Sequence, residues 1–319
     1  MTTHLLMLLI GLACAGGGGE LFIRGAVGLA QWARIPPGIV GATVAAFATS
    51  SPELSVAISS SLAGNPQVSV GDAVGSNVVN IALILGIALL ISPTAAPREG
   101  LRRDFPVALL VPFAIGLLSL DGSLSRPDGF VLLGLFTAWL VATVIEARRA
   151  RQAALEGEAT EEVLAVKPVP AVLFSLIGLA LLVVAGRTIV SGAVGIASAF
   201  GMDAFAIGAT VVAVGTSVPE LATTVLAKAR GHQEVALGTV LGSNIFNGLF
   251  VVGLAAILCP MHLPLPSVAV GLLTGAVVTA FTYPPAGGVL GRRRGALLLA
   301  LYVVYVAVVL QMRVGGAGH

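Results

Sequence analysis

Charge is what this sequence has least of. Only 10% of its 319 residues are Asp, Glu, Lys or Arg, where a soluble domain carries about 25%. A polar shell around a soluble core cannot be built from so few charges, so lipid must be part of the solvent. Histidine is sparse as well: His4, His232, His262 and His319 lie at chain ends or in loops, with no ligand spacing among them. There are two cysteines, Cys14 and Cys259, both in or near apolar runs, and they read as small buried hydrophobes. No long polar stretch suggests a soluble domain. Nothing points to a nucleic-acid partner or a resident cofactor.

Hydrophobic residues make up 57% of the chain, and the mean hydropathy is +1.01. A spanning helix needs about 20 apolar residues. Candidate spans lie near 4–19, 37–62, 66–91, 105–120, 129–145, 170–199, 204–227, 235–258, 265–282 and 296–312, five in each half. They do not alternate polar and apolar residues as barrel strands would, so helix is the only spanning option. The expected fold is an all-α membrane protein of ten transmembrane helices in two inverted five-helix repeats. The first repeat takes residues 1–147, a mixed-charge cytoplasmic linker residues 148–167, and the second repeat residues 168–319.

Fourteen of the 17 Lys and Arg residues fall in one alternate set of loops, including Arg24, Arg34, Arg98, Arg148 and Lys228. Positive residues stay on the cytoplasmic side. This predicts a multi-pass protein of the cell (inner) membrane with both termini outside the cytoplasm. The opening MTTHLLMLLIGLACAGGGG lacks a basic leader, and its apolar run continues through Ile23, so it reads as an uncleaved first helix.

The chain repeats itself. Residues 41–86 and 208–253 align without a gap at an offset of 167, identical at 18 of 46 positions. Ten identities fall in the first fourteen residues, and a second cluster is Gly-Ser-Asn followed two residues later by Asn. Composition alone does not match Pro, Glu, Ser, Thr and Asn in this way. With an odd number of helices per copy the two copies run in opposite senses. Inverted repeats place substrate sites near the bilayer midplane, where broken helices from both copies meet.

Each copy sets Thr-Ser-x-Pro-Glu in the middle of an apolar run, ending on Glu53 and on Glu220. Proline inside a helix removes a donor and clashes with the carbonyl one turn back, which predicts freed carbonyls near Ala46 to Ala48 and Ala213 to Gly215. Carbonyls, hydroxyls and a carboxylate make a hard-oxygen cage suited to Ca²⁺ or Na⁺. A carboxylate at mid-membrane costs about 2.5–3.5 kcal/mol on insertion scales, and two facing each other repel unless a cation lies between. One divalent ion, or several Na⁺ or protons, would neutralise the pair, and that competition is a physical basis for exchange. Ser76 and Asn80 are one turn apart, as are Ser243 and Asn247, so each pair shares a face. Their oxygens are candidate ligands, although Ser and Asn also serve as glue between membrane helices. Asp203 reads as a helix N-cap. Glu20 has a possible local partner in Arg24 and a remote one in Arg187, and the local pair is favoured.

The two copies, GATVAAFATSSPEL with GSNVVN and GATVVAVGTSVPEL with GSNIFN, resemble the alpha-repeats of the cation/calcium exchanger superfamily, specifically its prokaryotic sodium/calcium exchangers. The resemblance implies that Glu53 and Glu220 bind Ca²⁺ and share in binding Na⁺. It implies further ligands at Thr49, Ser50, Ser76 and the Ala46 carbonyl, with Thr216, Ser217, Ser243 and the Ala213 carbonyl as their mates. Asn80 and Asn247 match the family's fourth polar pair. Some relatives carry Asp where Asn247 stands, and Ala48 replaces the usual Gly. Asp72 stands where Asn is usual; it reads as a helix cap, with a peripheral charge at the entrance to the site as the alternative.

The resulting expectation is secondary antiport of Ca²⁺ against Na⁺, by alternating access, with Ca²⁺ and Na⁺ as substrates. Exchange of Ca²⁺ for H⁺, or a K⁺-dependent variant, would use the same fold. Proton-coupled relatives typically carry Gly-Asn-Ala/Ser-Glu where this chain has Thr-Ser-x-Pro-Glu. A cation channel or Ca²⁺ sensor is disfavoured by the inverted repeat. An enzyme is disfavoured because Ser50 and Ser51 have no His or Lys near them in sequence.

Overall fold

The computed structural model describes residues 2–62, 66–95, 98–157, 168–199, 213–263, 265–284 and 288–314. Most described residues are helical, as backbone in lipid requires, because each N–H and C=O must find a partner within its own segment. In chain order the helices are α1 (Thr2–Ala33), α2 (Pro37–Thr49), α3 (Ser51–Leu62), α4 (residues 66–91), α5 (Arg98–Leu118), α6 (Arg126–Gly157), α7 (Pro168–Ala199), α8 (Ala213–Thr216), α9 (Val218–Ala229), α10 (Gln233–Leu258), α11 (Leu265–Ala280) and α12 (Arg292–Val314). Among the described residues five of them are long and apolar enough to cross a membrane, and a sixth span results if α2 and α3, bent by 43°, count as one.

Two helices outrun their expected ends. The first continues to Ala33, which puts Arg24 inside the helix instead of in a loop. Its Nε donates to Glu20 Oε1 at 2.6 Å, and Arg230 bonds the same carboxylate from the other half, so the local pair forms. Arg187 is exposed on α7. The α6 helix continues through Glu-Ala-Arg-Arg-Ala-Arg-Gln-Ala-Ala-Leu, all good helix formers. Residues 148–157, expected in the linker, are therefore helical; residues 158–167 lie outside the described residues. So do Asp203, residues 208–212 of the second motif copy, and His319.

Burial sorts the helices into centre and periphery. The apolar windows of α4 and α10 are 72% and 83% buried, those of α6, α7 and α12 only 17%, 22% and 17%. Exposed Phe113, Leu117, Phe130, Val131, Val303 and Val304 form part of a surface that only lipid can cover. The central helices meet through small residues, as membrane helices do when no hydrophobic force draws them together. A Cβ at Gly242 of α10 would lie 2.2 Å from the Ala42 carbonyl oxygen of α2, and one at Gly178 of α7 would lie 2.5 Å from the Phe22 nitrogen of α1.

The two halves are also joined by reciprocal short strands. Thr94–Ala95 (β1) pairs antiparallel with Val289–Leu290 (β4), and Ser123–Leu124 (β2) with Met261–His262 (β3). Each pair takes one strand from each half. Lys228, at the end of α9, reaches across to donate to the Pro93 carbonyl at 3.0 Å and to Thr94 Oγ1.

Replacing Gly242 with Ala should push α2 off α10 and destabilise the purified protein by about 1–3 kcal/mol, the usual cost of overpacking, lowering its melting temperature and its transport rate. Gly275→Ala, where an added Cβ meets nothing within 4 Å, should change neither. Equal melting temperatures for the two variants would show that the α2–α10 contact does not need glycine.

Candidate cation site

Proline sets the positions of both glutamates. Pro52 and Pro219 each follow a break, at Ser50 (φ −83°, ψ 12°) and Ser217 (φ −83°, ψ 8°). After each break a new helix starts, with proline near its first position and glutamate in its first turn. Proline is favoured at the start of a helix because its missing N–H would be unpaired there. The partial positive charge of that helix end favours a carboxylate. Broken helices thus give Glu53 and Glu220 an electrostatic reason to sit where apolar sequence surrounds them. Both are fully buried, as are Thr49, Ser50, Ser76, Asn80, Ser217, Ser243 and Asn247, with Thr216, Ala46 and Ala213 nearly so.

The site is woven from both halves. Ser50 Oγ donates to Glu220 Oε1 at 2.8 Å, and its repeat mate Ser217 donates to Glu53 Oε1 at 3.4 Å. Asn77 Nδ2 donates to the Asn244 carbonyl at 3.1 Å, and Asn244 Nδ2 returns a bond to the Asn77 carbonyl at 3.0 Å. Each of these bonds has its repeat-related counterpart, so the contact between the halves is reciprocal. Ser243 Oγ adds a second hydroxyl to Glu220 Oε1 at 3.2 Å. Thr216 Oγ1 lies 3.3 Å from Ser76 Oγ, and Ser76 Oγ lies 3.5 Å from the Ala213 carbonyl oxygen.

Four oxygens of the candidate ligands are left over. Glu53 Oε2, Glu220 Oε2, Asn80 Oδ1 and Asn247 Oδ1 are buried without a hydrogen-bond partner among the described residues. A buried polar atom with no partner carries its full desolvation cost, and a carboxylate oxygen carries more. Asn77 Oδ1 and Asn247 Nδ2 are buried and unpartnered among the described residues as well. The carboxylate and amide oxygens of the candidate ligands fit a hard cation, with hydroxyls and backbone carbonyls at hand to complete its shell.

Two expectations need correction. The carbonyls of Ala46 and Ala213 are not freed by proline: they accept the backbone N–H groups of Ser50 at 3.0 Å and Ser217 at 3.2 Å. The carbonyl opposite each proline, one turn back, belongs to Ala48 and to Gly215. Ala46 and Ala213 instead also accept side-chain hydroxyls, from Thr49 at 3.4 Å and from Thr216 at 3.2 Å. Asp72 is not a helix cap. It lies inside α4, is 3% exposed, and accepts a hydrogen bond from Thr216 Oγ1 at 3.2 Å. A third carboxylate thus touches a site hydroxyl, so the two glutamates are not the only acidic groups close to the centre. Asn77 and Asn244 had no assigned role, although their repetition within Gly-Ser-Asn was visible; they clasp the two halves.

The sequence hid a further feature. Residues Val79–Leu85 of α4 and Phe246–Val251 of α10 are π-helical, at equivalent repeat positions. Such wide turns are rare and concentrate at functional sites. Here they contain Asn80 and Asn247, beside the ladder that the extra residue opens.

The family profile described as "Sodium/calcium exchanger protein" matches residues 3–145 and 170–311. The chain belongs to the sodium/calcium exchanger family. It is 38% identical over 260 residues to the inner membrane protein YrbG of Escherichia coli (strain K12), covering 80% of this chain and 79% of that one. It is 36% identical over 265 residues to the putative antiporter CaxA of Alkalimonas amylolytica, covering 82% of each. A solved structure of the sodium-calcium exchanger NCX_Mj, soaked with Na⁺ and Sr²⁺, superposes with a TM-score of 0.80 at 30% identity, over 96% of this chain and 98% of the other.

Within this exchanger Asp72 tests how far the charge of the site extends. Asp72→Asn should weaken Ca²⁺ by at least roughly tenfold, since unit charges about 10 Å apart in an effective dielectric of about 20 interact by about 1.7 kcal/mol, read from the Ca²⁺ dependence of exchange, with exchange itself retained. An unchanged Ca²⁺ dependence would make the Thr216 bond purely structural.

Proposed function

We propose that this protein exchanges Ca²⁺ for Na⁺ across the cell membrane by alternating access, the two ions competing for one site between the halves. The observation that carries the reading is the set of four unpartnered buried oxygens, two of them on carboxylates contributed by opposite repeats. One Ca²⁺ brings the two positive charges that Glu53 and Glu220 need. Na⁺ ions bring the same charge in smaller units. With either cargo the buried pair is neutralised. Without cargo it is not, and the empty carrier is disfavoured from changing its facing state.

In this reading the chain forms ten transmembrane helices as two inverted five-helix repeats, residues 1–147 and 168–319, joined by a cytoplasmic segment. The ligands are Glu53, Glu220, Asn80 and Asn247, with Thr49, Ser50, Ser76, Thr216, Ser217, Ser243 and the carbonyls of Ala46 and Ala213 completing the shells. The reciprocal bonds between Ser50 and Glu220 and between Ser217 and Glu53 support the exchange of roles between repeats that alternating access requires. The lopsided distribution of Lys and Arg supports termini on the non-cytoplasmic side.

Proteoliposomes loaded with Na⁺ and diluted into Na⁺-free buffer should take up radiolabelled Ca²⁺. Glu53→Gln and Glu220→Gln should each abolish that uptake while the proteins still purify as folded species. Uptake indifferent to Na⁺ but collapsed by a proton ionophore would assign proton exchange, and a requirement for K⁺ would assign the K⁺-dependent variant. Ca²⁺ flux with no counter-ion would make the protein a channel. A fully active glutamine variant would refute the site.

A further inference from the structure

Two cavities on the lipid-facing side join into one groove. The deeper, of about 500 Å³, lies between α2, α6 and α10, walled by Phe47, Phe136, Trp139, Phe246 and Phe250, with Ala46 and Ala48 at its back. The second, of about 420 Å³, shares Thr43, Val44 and Leu140 with it and ends at Arg148 and Arg151. The groove opens sideways, since Val44 is 49% exposed and Phe47 55%, onto a surface that α6 presents to hydrocarbon. Its aromatic end is closely packed. Phe246 stacks on Phe250 at 4.8 Å between centroids and meets Phe47 edge-on at 5.2 Å. Trp139 is held by its indole N–H donating to Asp104 Oδ1 at 3.0 Å.

The mouth has the opposite character. Arg148 and Arg151 are exposed and have no ion-pair partner among the described residues. They stand at the C-terminal end of the apolar window Arg126–Ala153, where a helix leaves the hydrocarbon. From Arg148 to Phe136 is twelve residues of helix, about 18 Å at 1.5 Å per residue. Half of the hydrocarbon core is about 15 Å. An acyl chain anchored at the arginines therefore ends near the phenylalanines.

We propose that this groove binds one anionic phospholipid, its phosphate between Arg148 and Arg151 and one acyl chain lying along α6 into the aromatic end. The chain then rests on Ala42, Ala46 and Ala48 of α2 and on Phe246, the neighbour of Asn247. A bound lipid braces the two helices that carry Ser50 and Asn247 without touching the cation. Ala48 supplies a methyl to that seat.

Trp139 reports directly on occupancy. The chain has two tryptophans, so Trp32→Phe leaves Trp139 alone. This variant is reconstituted in phosphatidylcholine vesicles that contain, as a minor component, lipid with brominated acyl chains, which quench indole on contact. Brominated phosphatidylglycerol should quench Trp139 at a lower mole fraction than brominated phosphatidylcholine. Adding Arg148→Gln and Arg151→Gln should erase the preference, by about fivefold per arginine for a cation at an anionic surface, with unchanged circular dichroism. Equal quenching by the two lipids, or a preference that survives both arginine substitutions, would overturn the proposal.

Discussion

Two carboxylates facing each other inside an apolar protein set the terms for everything around them. Neither Glu53 nor Glu220 has access to water, and each keeps one oxygen unpartnered among the described residues. Charge of one sign at that depth is expensive, so the fold surrounds it with what favours a negative oxygen: a helix start beneath each glutamate and hydroxyl donors from both halves. The same arrangement makes the pair depend on a cation. Breaking a helix in the membrane also costs backbone hydrogen bonds, and that cost is accepted only where the freed groups line a buried site.

The architecture follows from keeping the pair between two half-structures. Had both glutamates come from one rigid bundle, neutralising them would have had no mechanical consequence. Instead each glutamate accepts a hydroxyl from the other half, and Asn77 and Asn244 bind those halves by reciprocal amide bonds. Near-symmetry is not identity. Glu220 accepts two hydroxyls, where its mate accepts one at longer range. Asp72 approaches Thr216, and its own repeat mate is Thr239, a neutral residue. Lys228 clamps the end of α9 to β1, while its mate is Ser61. These differences make the two halves unequal at the site itself.

Much of this was legible in the amino-acid order, because membrane helices and repeats leave strong marks. Ten apolar runs, a gapless repeat at an offset of 167 and a Pro-Glu pair within apolar surroundings lead to the breaks at Ser50 and Ser217 and to the burial of all the candidate ligands. Helix ends were less legible. Arg24 and residues 148–157 are polar yet helical, since hydropathy marks where lipid ends and not where hydrogen bonding does. Asp72 misled because a lone acid near a helix start normally caps it, whereas here its partner comes from the other half. The π turns at Asn80 and Asn247 have no local composition signal, as they arise from packing. The pairing of Asn77 with Asn244 needs three-dimensional proximity, although repetition had already singled them out.

The central claim is that Na⁺ and Ca²⁺ neutralise the same pair of glutamates and so exclude each other. Equilibrium dialysis of labelled Ca²⁺ against the purified protein, repeated over a series of Na⁺ concentrations at constant ionic strength, tests it without any transport step. The account predicts that the apparent Kd for Ca²⁺ rises without limit as Na⁺ increases, more steeply than in direct proportion because more than one Na⁺ replaces one Ca²⁺. A Kd that levels off at high Na⁺, with both ions bound together, would contradict it.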